Sequence, residues 1–160
     1  MSDNKFPAKI LQVKSYVDEF GTMYDQYILV ESTKSEIFWI FDPKIICDKR
    51  IEGQTVTLEF DVWQSAARKN IFKLCNKEKK ILLPESPLGT KSLEHYPIFY
   101  GEIISKEHEA NSNRQLVVDV GSGIIRILVY ETEYNSFLVG DYIKVEGNIV
   151  HLSEIDGKRI

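Results

Sequence analysis

Short runs of alternating apolar and polar residues, separated by turn-forming residues, fill most of the 160-residue chain. A period of two is typical of β-strands that bury one face. In the first half, the alternation predicts strands at about 7–17, 24–33, 35–42, 54–64 and 70–76. In the second half, it predicts strands at about 98–108, 114–121, 123–130 and 141–152, with a last short piece near 156–160. The pattern therefore predicts an all-β protein.

Two links between the third and fourth strands interrupt this alternation. Asp42-Pro43 begins the first link, and proline is favoured at the first position of a helix because its missing N–H needs no partner there. The pattern thus predicts a short helical or irregular link after residue 42, and a second one at 131–137. Residues 83–89, with two prolines and a glycine, predict a linker between the halves.

An offset of 87 residues aligns the two halves. Gly53 then falls on Gly140 and Trp39 on Arg126, and each glycine precedes a fourth strand. The offset grows to 93 at the first strand, so the first half carries about six extra residues between its first two strands, where a surface hairpin tolerates insertions. Such an internal repeat predicts two units of like topology.

The stretch Gly140-Asp-Tyr-Ile-Lys-Val-Glu-Gly-Asn-Ile149, followed by Asp156-Gly-Lys-Arg159, is similar to the fourth strand and hairpin of bacterial single-stranded DNA-binding proteins and other OB-fold modules. The resemblance implies two small OB-fold-like five-stranded β-barrels in tandem. We expect the first barrel at 1–82, a linker at 83–96 and the second barrel at 97–160. The second half has little sequence for a fifth strand, so its barrel is either incomplete or closed by the first half or by a second copy.

Alternation also predicts which side chains face outward. Charged residues in mid-strand, such as Glu31, Asp119 and Arg126, mark the outer face. On the first half, the same parity turns an apolar and aromatic group outward: Tyr27, Leu29, Ile37, Trp39 and Phe41. On the second half, it turns outward Gln115, Val117, Ile124 and Leu128. Such faces either pack against the other half or a second copy, as in a homodimer, or stack the bases of a nucleic acid.

The net charge of −4 arises in the second half, because residues 91–160 carry 7 Lys+Arg against 11 Asp+Glu, whereas residues 1–90 carry 13 of each. This balance is not that of a typical polyanion-binding protein. The stretch 68–80 is a local exception, with six cations and one acid around Phe72. It lies on the predicted hairpin after the fourth strand, which often clamps nucleic acid in OB folds. The alternatives are lysines that solvate an exposed edge strand, or a contact with an acidic protein.

No cluster of residues predicts catalysis, a metal site or a cofactor. His95, His108 and His151 are scattered, and Cys47 and Cys75 match no metal-ligand spacing, so we expect two reduced thiols. The chain has no run of eighteen apolar residues and no apolar segment near its N-terminus. These features predict a cytoplasmic protein with no membrane contact.

The sequence therefore predicts a non-enzymatic binding protein. The first hypothesis is binding of single-stranded DNA or RNA, with bases stacked on three rings and phosphates held by four cations. These residues are Tyr27, Trp39, Phe72, Arg68, Lys69, Lys73 and Lys77. The alternative is a protein–protein interaction module, such as an adaptor, inhibitor or immunity-type protein, whose acidic second half faces a basic partner.

Overall fold

The computed structural model describes residues 5–64, 70–83, 96–108, 114–146, 150–156 and 158–159. These residues form twelve strands, one α-helix, α1 (Glu131–Ser136), and a 3-10 turn at Lys49–Ile51. The strands in chain order are β1 (Phe6–Val17), β2 (Met23–Ser32), β3 (Ile37–Phe41), β4 (Thr55–Trp63), β5 (Ile71–Lys73), β6 (Lys80–Leu82), β7 (Ile98–His108), β8 (Arg114–Asp119), β9 (Ile124–Val129), β10 (Tyr142–Val145), β11 (Val150–Ile155) and β12 (Lys158–Arg159). The predicted all-β class is confirmed.

Five of these strands close into a barrel. Strand β1 pairs with β2 and β4, β2 pairs with β3, and β11 pairs with both β3 and β4. All of these pairs are antiparallel except β3 and β11, which run parallel and meet at Phe41 and His151. A closed barrel of five strands is compatible with an OB-like barrel.

The strand that closes the barrel comes from the second half of the chain. The prediction that the strand near 70–76 completes the first half is wrong, because β5 pairs with β10, where Phe72 lies opposite Lys144. Strand β11 closes the barrel instead. It is the longer strand and buries three apolar side chains, Val150, Leu152 and Ile155, whereas the only buried residue of β5 is Ile71.

A second group of strands continues from the barrel. Strands β9, β8, β7, β10 and β5 follow one another as neighbours, and β6 pairs with β7. The end of β4, from Asp61 to Trp63, runs parallel to β9. Strand β4 therefore belongs to the barrel along most of its length and to the second group at its end.

The two halves show the same local backbone geometry where the glycines are 87 residues apart and the isoleucines that they contact are 93 residues apart. The N–H of Gly53 donates to the carbonyl of Ile10 at 2.7 Å, and the N–H of Gly140 donates to the carbonyl of Ile103 at 2.8 Å. Both glycines have a positive φ, +88° and +98°, which glycine adopts without steric cost. A β-bulge follows each of the two isoleucines. The turn that enters the fourth strand is thus built in the same way twice.

The barrel interior follows the predicted parity. Val56, Leu58 and Phe60 of β4 are buried, and the residues between them are partly exposed. The five residues predicted to face outward from β2 and β3 all alternate with fully buried neighbours and are half-buried themselves. They are Tyr27, Leu29, Ile37, Trp39 and Phe41. Their outward orientation is confirmed.

The parity prediction is wrong for part of β8. Gln115 and Val117, which were predicted to face outward, are buried, and so are Leu116 and Val118, which alternate with them. Strand β8 has neighbours on both sides, β7 and β9, and both of its faces are covered. A strand covered on both faces does not follow the half-buried alternation from which the prediction was made.

The predicted helix start at Asp42-Pro43 is also wrong, because Asp42 organises an irregular link. Its buried carboxylate accepts hydrogen bonds from the N–H of Ile46 at 3.2 Å and from that of Cys47 at 2.9 Å. The side-chain amide of Gln26 donates to the same carboxylate at 2.9 Å. These hydrogen bonds give backbone N–H groups of the link an acceptor without a helix. In the second half the corresponding link does contain a helix, α1.

Glu36 connects the barrel to the second group of strands. Its Oε1 accepts hydrogen bonds from the hydroxyls of Ser32 and Ser122, both at 2.7 Å. Its Oε2 accepts the backbone N–H of Ile81 at 2.6 Å. One carboxylate thus joins the end of β2, the turn between β8 and β9, and strand β6.

The two cysteines are free thiols in different environments, with Cys47 buried and Cys75 exposed. Burial, with a further effect of the nearby Asp42 carboxylate, raises the pKa of Cys47 to about 12. At pH 8 its thiolate fraction is then about one in ten thousand. We expect iodoacetamide at pH 8 to alkylate Cys75 rapidly and to spare Cys47 in native protein, as followed by mass spectrometry. In urea both should react, and equal rates in native protein would contradict the burial of Cys47.

Candidate functional site

Side chains on the outer face of the barrel line up across neighbouring strands. The pairing register places Lys14 opposite Tyr27, Tyr27 opposite Phe41, and Phe41 opposite His151. Opposed side chains in adjacent strands are direct neighbours and interact. The register therefore produces a continuous line of side chains that crosses the strands.

Six rings in and beside this line form an unbroken surface, which we call the aromatic row. In spatial order its members are Tyr24, Tyr16, Tyr27, Phe41, His151 and Trp63. Successive ring centroids are 6.5, 6.1, 5.1, 5.5 and 5.2 Å apart. Aromatic rings attract one another at these separations. The aromatic row runs from the hairpin between β1 and β2 to the end of β4.

Both ends of the aromatic row are open to solvent. Tyr24 is 58% exposed and Trp63 is 54% exposed, whereas the four rings between them are half-buried. The Nζ of Lys14 lies 5.4 Å from the centre of the Tyr16 ring. Clustered apolar side chains that remain accessible on a folded surface are typical of binding sites.

The only histidine of the aromatic row is uncharged at neutral pH. Burial lowers the pKa of His151 below its ordinary value, although the nearby Asp61 carboxylate acts in the opposite direction. Since an ordinary histidine titrates near pH 6.5, the lowered value leaves this imidazole neutral at pH 7. His151 therefore contributes a mainly neutral ring to the aromatic row at pH 7.

Acidic side chains border the aromatic row at its His151 end. Asp61, which lies opposite His151, forms an ion pair with Arg126 at 3.0 Å. Glu59 lies opposite Glu154 on β11, and burial, together with a hydrogen bond that the protonated Glu59 carboxyl donates to Glu154, raises the pKa of Glu59. This part of the face is not a basic patch.

Two of the predicted stacking residues lie on this face. Tyr27 is the third ring of the aromatic row, and burial, with a further effect of Asp25, raises the pKa of its phenol. Trp39 lies on β3 opposite Leu29, two residues before Phe41, and is half-buried. Trp39 is therefore neither fully exposed nor enclosed between the two halves.

The other predicted site residues lie elsewhere. Phe72 and Lys73 are on β5, in the second group of strands, and Lys77 is exposed a few residues later. Arg68 and Lys69 lie outside the residues that the structure describes. Strand β5 pairs with β10 and with no strand of the barrel. The structure thus does not bring Phe72 and Lys73 together with the aromatic row.

Several lysines of the basic stretch 68–80 are engaged by carboxylates. The ion pairs are Lys73–Asp141 at 3.5 Å, Lys79–Asp119 at 2.9 Å, Lys79–Glu102 at 3.4 Å and Lys80–Glu78 at 3.1 Å. The hydrogen bond to Asp119 raises the pKa of Lys79. A carboxylate at this distance offsets much of the attraction that its lysine exerts on a phosphate.

Five members of the aromatic row were not predicted as site residues. Phe41 was predicted only to face outward, and the other four were not singled out: Tyr16, Tyr24, His151 and Trp63. The bulge after Ile10 reverses the parity of β1, so alternation counted from the start of that strand turns Tyr16 inward. The charge of Lys14, two residues before it, was the available signal that this parity had changed. His151 joins the row only because β11 closes the barrel, which no local pattern indicates.

Within the described part of the chain, no group of three or more His, Cys, Asp or Glu is arranged to hold a metal ion. Nor does any described helix have the length and apolar character needed to cross a membrane. No protein-family model and no curated protein matches this sequence.

Proposed function

We propose that this chain is a non-enzymatic protein that binds single-stranded nucleic acid along the aromatic row. The observation that carries the proposal is the continuity of six rings at centroid separations of 5.1–6.5 Å on the outer face of a closed barrel. Every base offers a π-face, so a series of rings can stack a single strand of any sequence. In OB folds, the faces of the second and third strands are a common place for such ligands.

We further propose that the two halves are OB-like barrels that exchange their last strands. In support, β4 runs parallel to β9 at Trp63 and Leu128, much as β11 runs parallel to β3 at His151 and Phe41. Strand β5 pairs with β10 in the way that β11 pairs with β4. Each half would then receive its fifth strand from the other. The units remain 1–82 and 97–160, joined by the linker 83–96.

In this proposal, stacking contributes more to binding than charge does. Lys14 lies beside the aromatic row, while three lysines of the basic stretch 68–80 are paired with carboxylates, and one of them, Lys73, was predicted to hold phosphate. Binding of a single strand changes with salt by a logarithmic slope of about −0.7 for each neutralised phosphate. We therefore expect a shallow slope, of about −1.4 or less in magnitude, as for one or two phosphate contacts.

Removing single rings tests this proposal. Tyr16→Ala and Trp63→Ala are each expected to weaken binding of a fluorescent oligonucleotide by about 1–3 kcal/mol, the range for one stacked base. Fluorescence anisotropy at low salt measures the affinity, and thermal melting shows whether the fold is retained. Trp63→Ala should leave the melting temperature nearly unchanged because its ring is exposed.

Tyr100→Ala is the matched control. The Nζ of Lys80 lies 4.8 Å from the centre of the Tyr100 ring, much as the Nζ of Lys14 lies over the ring of Tyr16. Tyr100, however, is on β7 and not in the aromatic row. Tyr100 lies opposite Lys144, which in turn lies opposite Phe72 on β5. If Tyr100→Ala loses more affinity for the oligonucleotide than Tyr16→Ala and Trp63→Ala do, the ligand binds at the β5 surface and not along the aromatic row. Wild-type protein that binds no oligonucleotide at low salt would remove the nucleic-acid proposal.

A protein partner is the second candidate, and the hairpin between β1 and β2 favours it. Phe20 at its tip is 84% exposed. The Asp18 carboxylate accepts the N–H groups of Phe20 and Thr22, each at 2.9 Å, so the tip has a defined shape. An exposed aromatic side chain on a turn of defined backbone, beside acids, suits an apolar pocket with a basic rim on another protein. The oligonucleotide titration above decides between the two candidates.

A further inference from the structure

A cavity of about 440 Å³ opens at one end of the barrel, between the irregular link after β3 and the end of β11. It lies apart from the aromatic row, with which it shares no residue. Its walls combine apolar side chains with a charged rim. The lining residues are Ile46, Cys47, Asp48, Arg50, Ile51, Gln54, Val56, Ile155 and Asp156.

In the second half, the corresponding link places an aromatic side chain in the core. The N–H of Gln54 donates to the carbonyl of Ile51, and that of Asp141 donates to Leu138, both at 3.0 Å, so the two turns correspond. The residue before Leu138 is Phe137, which is only 7% exposed and belongs to the core. Tyr134, three residues earlier, packs against the same core.

The first half has no ring at either of these places. The residue before Ile51 is Arg50, whose side chain is 90% exposed and pairs with Asp48 at 2.8 Å. Three residues before Arg50 stands Cys47, which is much smaller than Tyr134. The cavity is therefore lined by the two residues, Cys47 and Arg50, that the 87-residue offset aligns with Tyr134 and Phe137.

The chemistry of the walls restricts what can enter. Ile46, Ile51, Val56 and Ile155 supply apolar contact area, which favours a ring over a polar molecule. The rim has two carboxylates, those of Asp48 and Asp156, and one guanidinium, that of Arg50, so it carries a small excess of negative charge. This excess disfavours an anionic ligand.

We propose that this cavity binds a small aromatic molecule of one or two rings, neutral or with a single positive charge. The ring lies against the apolar walls, in the place that Phe137 takes in the second half. A closed cavity of about 150 Å³ holds benzene, and ligand pockets of about 300–1,000 Å³ bind larger molecules. The volume of 440 Å³ thus suits one or two fused rings. The rim positions a substituent near Asp48 or Asp156.

Three probes that share an indole ring and differ in charge test the proposal: indole, tryptamine and indole-3-acetate. Each is titrated at millimolar concentration into ¹⁵N-labelled protein. Indole and tryptamine should shift the amide signals of Cys47, Ile51 and Ile155. Indole-3-acetate should bind about fivefold more weakly than tryptamine, as expected for an exposed charge interaction near 4 Å.

Arg50→Phe supplies the missing ring from the chain itself and should lower tryptamine affinity at least about tenfold. Lys49→Phe is the matched control, because it adds the same ring at an exposed neighbouring position outside the cavity lining. Asp48→Asn leaves the apolar walls intact and should narrow the difference between tryptamine and indole-3-acetate. The Asp48→Asn variant still tests the charge preference of the cavity if Arg50→Phe does not fold.

Three results would overturn the proposal. The first is that none of the probes shifts the amides of Cys47, Ile51 and Ile155. The second is that the shifts fall on the aromatic row, around Tyr27 and Phe41, and not at the cavity. The third is that a folded Arg50→Phe protein binds tryptamine as tightly as wild type does.

Discussion

A chain that ends at Glu146 is expected not to fold. This truncation removes β11, and with it the pairing partners of β3 and β4 that close the barrel. It also removes three buried side chains from the core: Val150, Leu152 and Ile155. At about 1.5–3 kcal/mol for each buried side chain, the loss is roughly 5–9 kcal/mol. A natural domain has a total stability of about 5–15 kcal/mol, so the lost burial alone is comparable to the whole of it, and the lost pairing of β3 and β4 adds to the deficit. Circular dichroism and urea unfolding measure the effect.

A chain that ends at Asp156 is the control for this truncation. It keeps β11 and also the Asp156 carboxylate, which accepts the N–H of Thr57 at 2.8 Å. This protein should unfold cooperatively, as wild type does. A synthetic peptide of residues 147–160 should restore the fold of the shorter chain when added to it. A shorter chain that unfolds with the wild-type midpoint and slope would show that β11 is dispensable.

The individual strands could be predicted because their signal is local. In β3 and β4 every second residue is apolar and buried, and in β2 the buried residues alternate in the same way from Gln26 to Ser32. The boundaries of all three strands agree with the alternation to within two residues. Parity also placed Tyr27, Trp39 and Phe41 on the outer face. Each of these inferences needs only a strand and one buried side of it.

The partner of the closing strand could not be predicted, because strand pairing is non-local. Val150, Leu152 and Ile155 give β11 an inward face that either half could use. Nothing in the sequence near β11 distinguishes a strand that completes its own half from one that crosses to the other. The choice depends on the space left beside β3 and β4, which only the assembled barrel defines.

The same limit applies to the candidate site. The sequence places Tyr27 and Phe41 on one face, but His151 and Trp63 join them only through β11 and the end of β4. The excess of positive charge in the stretch 68–80 could be recognised from the sequence because its six cations lie close together along the chain. The ion pairs that its lysines form could not be predicted, because partners such as Asp119 and Asp141 lie far along the chain and come close only in the folded protein.

The aromatic row and the cavity differ in how they depend on the repeat. The row concentrates rings on one half, since the position equivalent to Phe41 in the second half is Leu128. The cavity arises because the first half lacks the ring that Phe137 provides in the second. Both features thus lie at positions where the aligned halves differ in sequence, whereas the turns at Gly53 and Gly140 have the same backbone geometry.

Phe99→Ala is expected to lower the free energy of unfolding by about 3–5 kcal/mol, as for other large-to-small changes of a buried phenylalanine. Phe99 lies on β7, in the second half, and is 1% exposed. Its ring centroid is 5.8 Å from that of Phe38 and 6.3 Å from that of Phe60, both in the barrel. Removing it therefore opens a hole between strands of the two halves. Urea unfolding followed by fluorescence measures the loss.

Phe20→Ala is the control, because it makes the same change at a side chain that is 84% exposed and should alter stability by less than about 0.5 kcal/mol. A double-mutant cycle of Phe99→Ala with Phe38→Ala should give a coupling energy of about 0.5–1.5 kcal/mol, since the rings are in edge contact. Every one of these proteins should unfold in a single transition, because the shared core makes the two halves cooperative. Two separate transitions, or a coupling near zero, would mean that each half is stabilised by its own core and that the contact of Phe99 with the barrel contributes little.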